Sequence, residues 1–259
     1  MAPGRCDAGV ARVARQGKVL DVLLAFAGLL AGGIAAVSGF GIGSLLTPAL
    51  DLRVETKLAV AAVAIPHFIG TSQRFWLLRQ HVDRRVALGF GIASGVGGLA
   101  GALLHAWVSS RALGFVFGTL LLLAGVSEFT GWMRRVRWGR RAGWAAGALS
   151  GVLGGMVGNQ GGIRSASMLG FQVPKESFVA TATAIGLFVD VARLPVYLAT
   201  QGREIAALWQ PLLVATVAVI VGTAVGTRVL RRLPQQAFRR MVAVLLVLLG
   251  IYVIATGGG

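Results

Sequence analysis

Residues 28–50 read GLLAGGIAAVSGFGIGSLLTPAL. The stretch is apolar enough to lie in a bilayer, yet Gly39, Gly41 and Gly43 alternate through its middle and Pro48 follows. Three glycines and a proline weaken a helix at that point. Inside a membrane such a break survives only where protein or a water-filled cavity satisfies the freed backbone groups. The N–H groups of a half-helix beginning there suit an anion. The competing reading is close helix packing through small residues.

Working outward, eight apolar segments are each long enough for a helical span of roughly 20 residues: 19–38, 57–78, 86–106, 111–131, 142–158, 177–199, 205–227 and 238–256. The expected fold is therefore an all-α polytopic membrane protein with about eight transmembrane helices. Of the 259 residues 56% are hydrophobic and only 13% charged, against about 25% charged for a soluble domain. The net charge of +16 does not indicate nucleic acid, because the basic residues sit between apolar runs, where membrane topology places them. The first span has a signal-like basic start and small-residue end, but its polar lead is long, so it reads as a retained helix. Trp76, Trp107, Trp132, Trp138, Trp144 and Trp209 fall near span ends, as in an aromatic belt.

A shift of 119 residues aligns the chain with itself. Gly28 meets Gly147, Gly32 meets Gly151, Gly39 meets Gly158, Gly43 meets Gly162 and Arg74 meets Arg193. This divides the chain into a polar tail (1–18), a first transmembrane repeat (19–131), a basic linker loop (132–141) and a second repeat (142–259). The predicted fold is two four-helix repeats with Gly-broken first and fifth helices, a pattern found in secondary transporters. Basic loops lie in the tail, Arg79–Arg85, Arg134–Arg141 and Arg228–Arg240. Eight full crossings from an inside tail put the first three in the cytoplasm and the last outside, against the positive-inside rule. A segment near 155–170 that enters the membrane and returns would relieve the conflict.

The second glycine-rich segment, 154–167, reads GGMVGNQGGIRSAS. Packing accounts for its glycines but not for Asn159, Gln160 and Arg164 together; the alternative is that Arg164 snorkels to the interface. The candidate anion-binding residues are Gly39, Gly41, Gly43, Ser44, Arg74, Gly158, Asn159, Gln160, Gly161, Gly162, Arg164, Ser165 and Arg193. Ionisable groups within spans are costly and usually functional, and the planar guanidinium suits oxyanions. Asp190 shares a helix face with Arg193, so an internal ion pair is the competing reading. His67, following Pro66, and Asp190 are candidates for proton coupling. Cys6 stands alone and the histidines at 67, 81 and 105 are scattered, so neither a disulfide, a metal site nor a cofactor is expected. No HExxH, GxSxG or nucleotide-binding P-loop appears, which speaks against an enzyme or an ATP-driven pump.

The Gly28–Leu50 and Gly147–Leu169 segments, the HFIGTSQRFWLLRQHVD stretch at 67–83 and the ATATAIGLFVDVARLPVYL stretch at 180–198 together resemble the sulfite exporter TauE/SafE family. The likeness runs from about residue 20 to 256. It implies a multi-pass bacterial inner-membrane carrier for sulfite, a sulfonate or another small sulfur-containing or organic anion, with the lipid bilayer as its surroundings and no nucleic-acid partner; a homodimer is an option on which no residue bears. Ile42 between Gly41 and Gly43, and Asn159, Gln160 and Arg164, depart from the family's usual glycine runs, which leaves the substrate open to anions other than sulfite. Export of an anion is downhill by about 2.3 kcal/mol per charge per 100 mV. An anion channel is the alternative, ahead of an intramembrane enzyme or a scaffold.

Overall fold

The computed structural model describes residues 20–36, 41–131, 140–158, 175–229 and 235–256, which are helical apart from short turns. The helices are α1 (Leu20–Ala36), α2 (Ile42–Asp51), α3 (Thr56–Leu78), α4 (Arg84–Trp107), α5 (Ser110–Thr130), α6 (Arg140–Val157), α7 (Lys175–Ala207), α8 (Trp209–Val229) and α9 (Gln235–Thr256). Seven of them follow the apolar segments to within a few residues; an eighth, α7, runs longer and bends at Gln201, whose backbone leaves the helical region. The ninth, α2, is the continuation of the glycine-broken stretch.

Outward faces are apolar at helical spacing. Leu88, Ile92, Val96, Leu99 and Leu103 on α4 and Leu213, Val217, Val221 and Val225 on α8 are all exposed. A surface of that kind needs lipid to cover it. The helices Arg84–Trp107, Ser110–Ser127 and Ser177–Ala207 are long and apolar enough to cross a membrane. Trp76, Trp107, Trp144 and Trp209 are exposed near helix ends; Trp132 and Trp138 lie outside the described residues.

Inside the bundle, glycines let backbones touch. A Cβ on Gly28 would lie 2.8 Å from the Ala218 Cβ, and one on Gly32 would collide with the Val219 carbonyl, so α1 packs closely on α8. Gly147, Gly151 and Gly155 bring α6 in the same way against Phe90, Ser94 and Gly98 of α4. The pairs 28/147 and 32/151, related by 119 in sequence, thus make the same kind of contact with different partners.

The side-chain contacts also give each helix its direction. Arg53, just past α2, bonds Asp21 at the start of α1 (3.0 Å), Asp51 accepts from Thr56, Lys57 Nζ donates to the Ala106 carbonyl (2.8 Å), and the Lys57 N–H donates to Ser110 (3.2 Å). The start of α1, the end of α2, the start of α3, the end of α4 and the start of α5 therefore share one face of the bundle, the first face. Gln201 beside His105 (3.1 Å) adds the late part of α7. On the opposite, second face the Asp83 N–H bonds Thr181 (2.9 Å), joining the α3–α4 turn to the start of α7. The helix pair α1–α2 therefore leaves the first face and comes back to it. This differs from a first segment that passes straight through: α2 runs back toward the face from which α1 starts.

Candidate functional site

Before α2 stands Gly41, whose φ of 131° is closed to ordinary side chains. From there α2 runs between its neighbours with every residue from Ile42 to Leu50 buried. Its first intrahelical bond is Leu45 N–H to the Gly41 carbonyl, 3.2 Å. The N–H groups of Ile42 and Gly43 precede that bond, at the positive end of the helix. A Cβ on Gly43 would stand 2.5 Å from the Gly158 carbonyl and 3.9 Å from His67 Cδ2. Gly158, with φ 73°, closes α6 by donating to Gly154 at 3.1 Å. The two glycine breaks thus bring the start of α2 and the end of α6 into backbone contact beside His67.

Two buried arginines hold the helix ends. Arg193, 1% exposed, donates through Nη1 to the Gly154 carbonyl (2.9 Å). Its Nε and Nη2 bind Asp190 Oδ1 at 3.0 and 2.8 Å. Arg74, 3% exposed, donates through Nη1 to the Ala35 carbonyl (2.7 Å) and through Nε to Thr183 (2.9 Å). Residues 35 and 74 become 154 and 193 on adding 119, so the paired arginines take carbonyls at paired positions in the last turns of α1 and α6. Both carbonyls lie at the negative helix end, where a cation is favoured, and that of Gly154 accepts from Gly158 as well. The expected Asp190–Arg193 contact is present, and the planar fork expected to grip an anion is engaged by Asp190 and Gly154.

Asp190 is fully buried. Its second oxygen accepts from His67 Nδ1 at 2.8 Å, and the Thr71 hydroxyl lies 3.4 Å from the same nitrogen. One carboxylate thus joins a histidine on α3 to an arginine on α7.

The end of α6 has further partners that motif reading missed. The Gly155 carbonyl accepts from the Tyr197 hydroxyl. His105 Nδ1 lies 2.8 Å from the Met156 carbonyl, with its other nitrogen beside Gln201. Asp190, Arg193, Tyr197 and Gln201 follow at spacings of three and four, one stripe along α7. That period was visible in sequence. His105, brought to the stripe by α4, was not. Gly41, Gly43, Ser44, Arg74, Gly158, Arg193, His67 and Asp190 are placed as described; Gly39, Asn159, Gln160, Gly161, Gly162, Arg164 and Ser165 lie outside the described residues.

The family model for the sulfite exporter TauE/SafE matches residues 24–253. No curated protein and no solved structure matches the chain. A match over that share of the sequence, on a bundle with lipid-facing apolar helices, means that this chain is an integral membrane protein belonging to the sulfite exporter TauE/SafE family of membrane transporters.

Proposed function

We propose that the protein is a secondary carrier for a small oxyanion, with sulfite and related sulfur anions as first candidates, and that the anion binds where α2 begins beside the end of α6. The observation that carries this reading is the contact between Gly43 and Gly158, flanked by two buried arginines bonded to the preceding helix ends. The arginines offset the negative ends of α1 and α6 and leave the positive end of α2 turned to the anion. Arg193 and Arg74 act through their field while their forks hold carbonyls and side chains. Backbone N–H groups near Gly39, Gly41, Gly43 and Ser44, and Gly158, Asn159, Gln160, Gly161, Gly162, Arg164 and Ser165 from the other half, complete the proposed site.

In the membrane arrangement that fits this site, α3, α4, α5, α7, α8 and α9 cross the bilayer. The α1–α2 pair dips in from the first face. Because α6 begins on the second face with the end of α5, and α7 also begins there, the second half mirrors the first. This makes two repeats of opposite orientation, as in many carriers. The described helix ends that flank the basic stretches 79–85, 134–141 and 228–240 then all fall at the second face. The positive-inside rule makes that face cytoplasmic, and the residues preceding α1 external. The charge conflict of eight straight crossings disappears.

Export of an unaccompanied anion would run down the membrane potential. Uptake into proteoliposomes of sulfite, thiosulfate, sulfate, a short sulfonate and a short carboxylate tests the reading. Saturable flux of at least one, reduced tenfold or more in Arg193→Ala, is expected. Flux that stays linear in anion concentration would favour a channel, and no flux from well-inserted protein would remove the anion assignment.

A further inference from the structure

We propose that His67 binds a proton together with the transported anion, so that the carrier is an anion–proton symporter. The inference rests on the anion site above and concerns what else moves with the substrate.

The His67 ring bridges two environments. Nδ1 meets Asp190 Oδ2 at 2.8 Å. A carboxylate also held by Arg193 only accepts hydrogen bonds, so Nδ1 carries the hydrogen in the neutral ring and Nε2 keeps the lone pair. Cδ2, the ring carbon bonded to Nε2, lies on the side of Gly43, 3.9 Å from where a Cβ there would stand. The basic nitrogen is thus on the edge of the ring that borders the junction of α2 and α6, while Asp190 orients the ring from behind. The step balances simply: an O–H bond of a hydronium ion breaks as the Nε2–H bond forms, and the reverse returns the proton to water on the other side.

The charges around His67 determine the sign of coupling. From α7 they are Asp190 and Arg193, with Tyr197 further along the same face; from α3 itself, Arg74 two turns on. The described parts of α2 between Ile42 and Leu50, of α6 between Trp144 and Gly158, and of α8 between Trp209 and Thr227 bring no titratable side chain; α5 has Arg111 at its first-face end and Glu128 in its last turns, and α1 has Asp21 at its start. Among the described residues, one negative charge against two positive leaves the buried centre positive before His67 is protonated and more so afterwards. A buried excess charge is costly until a counterion arrives. Proton and anion therefore favour each other's binding, reciprocally. A monoanion carried with one proton crosses without net charge, so flux would follow the anion and pH gradients and ignore the membrane potential.

The test uses reconstituted full-length protein with sulfite and thiosulfate as probes, recording internal pH and anion flux together. Wild type is expected to move protons with anion in fixed ratio, and anion binding to weaken by about tenfold per pH unit once His67 is neutral. His67→Gln, which can still donate to Asp190, should show no accompanying proton, whereas His81→Gln, exposed in the α3–α4 turn, should keep it. Should His67→Gln fail to transport, calorimetry of anion binding in two buffers of different ionisation enthalpy decides. Proton uptake on binding by wild type and by His81→Gln but not by His67→Gln supports the proposal; its absence in wild type, or its persistence in His67→Gln, overturns it. Anion flux by wild type without protons, or an unchanged proton ratio in His67→Gln, also overturns it while leaving the carrier intact. No anion flux or binding by wild type at all would instead overturn the carrier reading and this inference with it.

Discussion

Arg193 and Asp190 show what one buried pair decides. Both are almost completely inaccessible, and each has partners beyond the other: His67 for Asp190, Gly154 for Arg193. Removing one member leaves the other charged and buried, at a cost of about 3–5 kcal/mol. Arg193→Ala should therefore lower the unfolding temperature in detergent sharply, and Arg193→Ala with Asp190→Ala should lower it by much less than the two single effects added. Additive losses would show that the two do not act as a unit. Gly43 is the other decisive position. A methyl there would stand 2.5 Å from the Gly158 carbonyl, so Gly43→Ala must push the two breaks apart, and anion flux should fall further than stability does.

For the elements, the repeated glycines act as spacers. On Gly151 a side chain would run into the Ser94 carbonyl of α4, and on Gly32 into the Val219 carbonyl of α8. In both places the obstacle is backbone, which yields only if whole helices separate. Gly32→Ala and Gly151→Ala should each reduce the yield of folded protein to a similar degree, because they perturb equivalent pairings. Gly202, with nothing within 4 Å of its would-be Cβ, is the control: Gly202→Ala should be neutral, measured by fluorescence-detected size exclusion. Much of this level was legible from residue spacing. The apolar runs located eight long helices, since burial in lipid needs little beyond length and hydropathy. The pairing of Gly28 with Gly147 and of Arg74 with Arg193 was also visible. That Arg74 reaches Ala35 as Arg193 reaches Gly154 was not, because no local pattern records which carbonyl lies opposite a side chain.

At the scale of the whole molecule, the contact between Arg53 and Asp21 separates two topologies with the same apolar segments. Native Cys6 reports on one difference directly: an impermeant thiol reagent added to intact cells should label it if the residues before α1 are external. In a Cys6→Ser background, Leu208→Cys should be labelled from outside and Arg232→Cys only after permeabilisation. The reverse pattern at all three positions would put the residues before α1 and the first face inside, and would overturn the orientation assigned here.

The sequence by itself determined the membrane class, the approximate bounds of the described long helices, the glycine breaks and the family. These depend on composition and on spacing along the chain, and a bilayer imposes the same length and polarity on every span. The tertiary structure alone decided the return of α2 to the face from which α1 starts, the meeting of Gly43 with Gly158, and the join of His67 to Arg193 through Asp190. Each depends on which way the chain turns after a break and on which distant residues then face one another. Gly41 permits that turn because glycine allows many directions, and only packing against α3, α6 and α7 selects one.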